Sequence, residues 1–228
     1  AGRNAGVSEV AGEFLFFLDD DSWLLDRGFL AECARRLRSD AGIGMIQPRI
    51  VDPDRRGDEP TRWVPRIHKG DPATSSAVFS VAETALVLPR EVFDATGGWP
   101  GPFFYAHEGI ELAWRVWDLG RRVEYHGDIE VGHPVVELSR HKEYLFLNAR
   151  NRVWLARRCL PWPVSWAYVA NWTGIQVVRS RELSSLRVWF SGWWVGGRDL
   201  PWVRGERPPR ISWRTVARMG RGGRFPVV

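Results

Sequence analysis

The sequence predicts an α/β fold followed by a helical, tryptophan- and arginine-rich segment, and three observations lead there. An apolar run of strand length, Phe14-Leu15-Phe16-Phe17-Leu18, stops abruptly at three aspartates, Asp19, Asp20 and Asp21. From that point to about residue 133, strand-like and helix-like stretches alternate, the order that defines the α/β class. Charge and tryptophan content then change together. Residues 1–145 hold 17 Lys/Arg and 24 Asp/Glu, whereas residues 146–228 hold 15 and 3, with nine of the 14 Trp. This shift divides the chain into 1–145 and 146–228.

The elements follow in order. Phe14–Leu18, apolar at every position, reads as a strand covered on both faces. Asp26 is placed to cap a helix over about 27–38, with Phe29, Leu30, Cys33, Ala34 and Leu37 as its apolar stripe. Residues 43–50 read as a strand, and 51–72, rich in Pro, Gly and Asp, as an exposed excursion. Strand composition returns over 78–88, and a short helix near 90–96 is ended by Gly97-Gly98. Residues 108–119 suit a helix, with Leu112, Ala113, Val116 and Trp117 on one side and Gly120 at its end. Strands are expected near 122–126 and 129–133, then a helix over about 139–159 stopped by Pro161.

Composition narrows the classes. An apolar fraction of 44% and a charged fraction of 26% belong to a globular chain rather than a disordered one. Cys33 and Cys159 form no metal or disulfide pattern and read as inert buried thiols of a reducing compartment. No run of about 20 apolar residues offers a spanning helix. The opening Ala1-Gly2-Arg3-Asn4 reads as the interior of a longer chain.

Three adjacent carboxylates are not a core feature, because burying unpaired charge costs on the order of several kcal/mol. At the carboxyl end of a strand they lie where open α/β sheets bind ligands. One or two of them can hold a divalent cation on the phosphates of a nucleotide. A solvated turn leading into the next helix explains the run equally well, and the run alone leaves both readings open.

Its context is more specific. The stretch RNAGVSEVAGEFLFFLDDDSWL places Arg3, Asn4 and Gly6 ahead of a small-residue helix, a strand and the aspartates. Gly97-Gly98-Trp99 and FFYAHEGIELAWR follow, then Val131-Gly132-His133-Pro134, then Asn148-Ala149-Arg150-Asn151-Arg152. This ordered set, over roughly 1–155, resembles the family 2 glycosyltransferases. The resemblance implies a GT-A-type, Rossmann-like mixed sheet flanked by helices, with the fold's N-terminal strands missing from this chain. It also implies metal-dependent, inverting transfer of a sugar from a nucleotide-sugar donor to a glycan or lipid-linked acceptor, with Mg2+ or Mn2+ as cofactor.

By the same resemblance, Arg3, Asn4, Asp19 and Asp20 line the donor site, while Asp21 and His133 hold the metal. Glu108 is the base that takes the acceptor's proton, and Trp99, Glu111, Arg150 and Arg152 serve acceptor or diphosphate binding. The chain departs from the family where a second acidic residue normally follows the first, here Gly109. Either Glu108 then serves as base, or Glu111 does, or activity is altered; Glu108 is assigned. Several of these residues have plainer readings. Glu111 and Arg115 also make an i,i+4 pair worth about 0.2–0.5 kcal/mol on a solvated helix face. A lone histidine such as His133 is often structural, although neutral imidazole also suits Mn2+ as an additional ligand. Arg150 and Arg152 fit either a bidentate diphosphate contact or a basic helix face near a membrane. His107, His126 and His141 carry less support, and His68 lies in the polar excursion.

The C-terminal part has its own chemistry. Residues 160–178 are apolar but broken by Pro161, Pro163, Asn171, Thr173 and Gln176. Trp162, Trp166, Trp172, Trp189, Trp193, Trp194 and Trp202 suit the bilayer interface. Arg157, Arg158, Arg179, Arg181 and Arg187 flank them, and each basic residue near an anionic surface adds about 1 kcal/mol of attraction. The segment is therefore expected on the inner face of the cell membrane; a helical subdomain packed through its tryptophans is the alternative. A nucleic-acid partner is not expected, given the acidic first part and no recognisable binding module. A metal-dependent phosphohydrolase of nucleotide sugars is the competing enzyme class. The bias of 30 Arg to 2 Lys makes the pattern similar to actinobacterial cell-envelope transferases.

Overall fold

A computed structural model describes residues 2–66, 70–135 and 143–227. It divides into two compact units, Ala1–Trp99 with Leu112–Val136, and Pro100–Glu111 with Glu137–Val228. Residues 100–111 thus group with the C-terminal part instead of the first. The backbone carbonyls of Phe103, Tyr105 and Ala106 accept hydrogen bonds from Asn151, which ties that segment to residues after 143.

The first unit is built on a six-stranded sheet, β1 (Phe14–Leu18), β2 (Trp23–Leu24), β3 (Ile43–Val51), β4 (Ser76–Ala77), β5 (Ala85–Pro89) and β6 (Arg122–Gly132). Strand order is β1-β5-β3-β6-β2, with β4 also on β6. The β3–β6 pair is parallel and every other pair antiparallel, so the sheet is mixed. Helices α1 (Gly2–Ser8), α2 (Phe29–Ser39), α3 (Arg90–Thr96) and all but the first turn of α4 (Glu108–Asp118) belong to this unit. Phe29, Cys33 and Leu37 of α2 pack with Ile43, Ile46, Ala85, Val87 and Val131. Burial among them pushes the Cys33 thiol up to about 12, which leaves it inert.

Several expectations change in detail. β1 is an edge strand, and only Leu15 in it is fully buried. Its apolar run is still explained from both faces: the Phe16 ring lies 5.3 Å from Phe29, and Phe17 lies 5.3 Å from Phe93 and 5.2 Å from Trp99. Asp26 does not cap α2 directly; Gly28 holds the cap position, and the Asp26 carboxylate accepts from the Gly28 N–H. The stripe is also narrower, since Leu30 is exposed. Residues 78–84 are not strand, because the indole N–H groups of Trp114 and Trp117 in α4 take the carbonyls of Phe79 and Val78 at 2.9 and 2.8 Å. The strands expected near 122–126 and 129–133 are one, β6, with a register shift where Pro48 faces His126 and Arg49 faces Glu130. The excursion at 51–72 is anchored as well: Trp63 is buried, and Arg66 donates to the carbonyls of Asp71 and Thr74 at 2.7 and 2.6 Å.

The second unit holds α5 (Tyr144–Cys159), α6 (Val164–Arg179), α7 (Leu183–Arg198) and α8 (Trp213–Arg221). The part of the expected 139–159 helix before residue 143 lies outside the described residues. Two glycines let α7 lie directly on α5. A Cβ at Gly196 would come within 2.8 Å of the Arg150 carbonyl, and one at Gly192 would collide with that of Phe146. Ser212 caps α8 by accepting from the Thr215 N–H at 3.2 Å. The tryptophans are not alike: Trp154 and Trp189 are buried, Trp172, Trp193 and Trp202 are half-buried, and Trp162, Trp166, Trp194 and Trp213 are exposed. Among the described residues, no helix is long and apolar enough to cross a membrane.

Candidate functional site

The aspartate run leaves β1 as a turn. The Asp19 N–H donates to the Thr84 carbonyl at 2.9 Å, and the Ser22 N–H returns to the Asp19 carbonyl at 3.1 Å. The chain then enters β2, where Trp23 pairs with Gly132 at the end of β6. That pairing carries the turn to His133, whose own N–H is fixed by the Val51 carbonyl at 2.9 Å. Only glycine fits at 132, because the Trp23 indole lies against it where a Cβ would stand.

Asp19, Asp21 and His133 consequently offer ligand atoms that all lie within 4.8 Å of one another. His133 Nε2 stands 3.3 Å from Asp21 Oδ1. At that distance an Nε2–H could donate to the carboxylate, and the two atoms are equally placed to ligate one cation between them. The opposite ring nitrogen, Nδ1, is buried with no hydrogen-bond partner among the described residues. The Trp63 ring meets the imidazole edge-on at 5.3 Å. Burial raises the Asp19 carboxyl above its ordinary value, opposed by the Arg3 hydrogen bond, and Asp21's charge raises it further. Carboxylate oxygens with one imidazole suit Mg2+ or Mn2+. The donor set therefore fits such an ion.

Arg3 donates to Asp19 at 2.8 Å and lies over the Trp99 ring at 4.7 Å. Asn4 is committed to the same tryptophan's backbone: its Nδ2 donates to the Trp99 carbonyl at 2.8 Å, and its Oδ1 accepts the Trp99 N–H at 2.9 Å. Gly98, with φ of 76°, is needed beneath this clamp, since a Cβ there would press on Asn4 Oδ1 at 3.1 Å. The sequence pattern Arg3-Asn4 and Gly97-Gly98-Trp99 is thus one contact in space. Asp20 is exposed and lies outside the cluster.

In the second unit, Glu108 opens α4 and is 9% exposed. Glu111, one turn on, is 1% exposed and receives Arg158 Nε at 2.7 Å and Nη2 at 2.8 Å, so it is not on a solvated face. Arg150 donates to the Phe103 carbonyl at 2.7 Å and stacks on Trp154 at 4.2 Å. Its guanidinium is lowered chiefly by burial, with the charges of Glu143 and Glu108 opposing. Arg152 stacks on Trp172 at 3.7 Å. His126 sits in an ion network of the first unit, 2.9 Å from both Glu124 and Arg36. His68 and His141 lie outside the described residues. Trp63 and Arg158 carry no sequence signal that marks a site. One is an isolated aromatic in a polar stretch and the other a helical arginine, and nothing local distinguishes either.

The fold is a mixed sheet flanked by helices, similar to that of GT-A glycosyltransferases. One solved structure that it matches is GalNAc-T7 with UDP, GalNAc and Mn2+, at a TM-score of 0.52 and 16% identity, over 86% of this chain and 42% of that one. Another is the mannosyltransferase PcManGT from Pyrobaculum calidifontis in complex with GDP-Man and Mn2+, at 0.49 and 15%, over 96% and 57%. This chain spans about half the length of these two structures. No protein-family model matches it, and no curated protein matches it in sequence. At these identities the likeness concerns the fold, and the chemistry rests on the residues.

Proposed function

We propose that this chain transfers a sugar from a nucleotide-sugar donor to a glycan or lipid-linked acceptor, with inversion, in the synthesis of cell-envelope polysaccharide. The Asp19–Asp21–His133 cluster on this fold is the observation that carries the reading. Mg2+ or Mn2+, when bound, neutralises the donor's diphosphate. Asp21 and His133 hold the ion, with Asp19 and Asp20 toward the nucleoside. Arg3 orients Asp19, and Asn4 holds Trp99 under Arg3. Glu108 takes the acceptor hydroxyl's proton. Trp99, Glu111, Arg150 and Arg152 serve the acceptor and diphosphate, with Glu111 held by Arg158.

Calorimetric titration with UDP- and GDP-sugars, with and without Mn2+, tests the reading. Asp21→Asn and His133→Ala are expected to abolish metal-dependent donor binding, and binding indifferent to metal would sink the assignment. Glu108→Gln is expected to keep donor binding and stop transfer to a membrane lipid extract. Phosphate release with no transfer product would favour the phosphohydrolase.

The working surface in this proposal is an anionic cytoplasmic leaflet. The exposed positions of α6, Trp166, Ala167, Ala170, Gly174, Val177 and Val178, are apolar or glycine until Arg179. On α7, Leu183, Phe190 and Trp194 are exposed with Arg187 and Arg198 among them. Between 160 and 227, eight arginines are exposed against two acidic residues, Glu182 and Glu206, a balance that complements anionic headgroups. Sedimentation with anionic and with zwitterionic vesicles separates the outcomes: a clear anionic preference, weakened by Trp166→Ser, is expected, and equal partition would exclude the leaflet.

A further inference from the structure

The segment ahead of Glu108 has an unusual backbone. Phe104, Ala106 and His107 have φ of 67°, 60° and 75°, the left-handed region that residues with a Cβ avoid at a cost of about 1–3 kcal/mol each. Something must hold it. Asn151 is wholly buried, and its Nδ2 points at three carbonyls of this segment: Phe103 at 3.1 Å, Ala106 at 3.2 Å, and Tyr105. Arg150 donates a second bond to the Phe103 carbonyl, and its Nε donates to Asn151 Oδ1 at 3.0 Å.

The side chains show what the strained backbone accomplishes. Phe103 is fully buried beside Trp154, Tyr105 meets Tyr144 edge-on at 6.3 Å, and His107 is 6% exposed. Phe104, between these anchors, is 84% exposed. A single exposed phenylalanine is ordinary on a surface. One turned outward on left-handed backbone, between anchored neighbours and four residues before the assigned base, is poised for a ligand. An open aromatic face with no charge of its own suits the C–H face of a sugar ring.

We propose that Phe103–Glu108 is an acceptor-recognition loop, in which Phe104 stacks on a sugar ring of the acceptor and Asn151 is the positioning residue that holds the loop. This deepens the transferase reading, on which it rests for the acceptor's identity, but direct binding tests it alone. Saturation-transfer NMR of a panel of neutral oligosaccharides would be recorded with the native chain, Phe104→Ala, Phe104→Tyr and Asn151→Asp. Native chain is expected to saturate ring C–H protons. Phe104→Ala should bind about tenfold more weakly at an unchanged melting temperature, with Phe104→Tyr restoring affinity. Asn151→Asp should weaken glycan binding too; if it unfolds, the Phe104 pair decides. Glycan binding that ignores Phe104, or no glycan binding at all, would overturn the proposal. Donor binding is measured separately: Phe104-dependent glycan binding without donor binding would refute the transferase reading and leave the loop standing.

Discussion

Glu111 and Arg158 face each other through two hydrogen bonds of 2.7 and 2.8 Å, with the carboxylate only 1% exposed. Removing Arg158 takes both of these bonds from a buried carboxylate, and removing Glu111 takes the counter-charge from a buried guanidinium. Arg158→Met is expected to cost about 3–5 kcal/mol in urea unfolding, and the double variant Glu111→Leu/Arg158→Met to recover much of it. A loss below about 1 kcal/mol in the single variant would mean the pair is solvated. Recovery stays incomplete because Arg158 also donates to the Pro201 carbonyl.

Asn4 should behave as a clamp. Asn4→Ala loses both bonds to the Trp99 backbone, an expected cost of about 1–3 kcal/mol. Asn4→Asp keeps the acceptor for the Trp99 N–H but sets a carboxylate oxygen against the Trp99 carbonyl, and should lose at least as much. Equal stability of all three chains would contradict this role.

The contact of α7 on α5 depends on glycine. Gly192→Ala is expected to destabilise by about 1–3 kcal/mol through overpacking. Gly197→Ala, five residues on with nothing within 4 Å, should be neutral or gain a few tenths of a kcal/mol. Melting temperatures of the two variants check the contrast, and matching values would show that α7 sits elsewhere.

His107 makes stability pH-dependent. Burial first, and then the charge of Arg152, hold its pKa well below the ordinary 6.5, with the Ala106 backbone bond opposing. Its folded pKa lies below the unfolded one, so the contribution is whole above about pH 6.5 and is lost as pH falls below that. His107→Asn removes the titration and tolerates the positive φ. Urea midpoints measured from pH 7.5 to 5 should fall more steeply for the native chain than for His107→Asn. Parallel curves would assign the acid sensitivity to other groups.

Much of the helix pattern was legible locally. Gly97 ends α3 at φ of 81° and Gly120 follows α4 at φ of 85°, because a left-handed residue after a helix is a property of one residue. The extent of the strands was less legible. Whether 78–84 joined the sheet turned on Trp114 and Trp117, more than 30 positions away, taking its carbonyls. At the site, the aspartates and His133 were visible as candidates, but the Trp63 edge on the imidazole was not, since an aromatic in a polar loop carries no periodic signal.

By itself the sequence determined what one or a few neighbouring residues control: where apolar runs form strands, where glycine ends a helix, and how charge divides between the two parts of the chain. Only the tertiary structure decided which carboxylates are held and by what. Asp19 meets Arg3, Asp21 meets His133, and Glu111 meets Arg158. The physical reason is that an ion pair depends on distance and burial, and at separations of 16, 112 and 47 residues the order of the sheet and the packing of the helices set both.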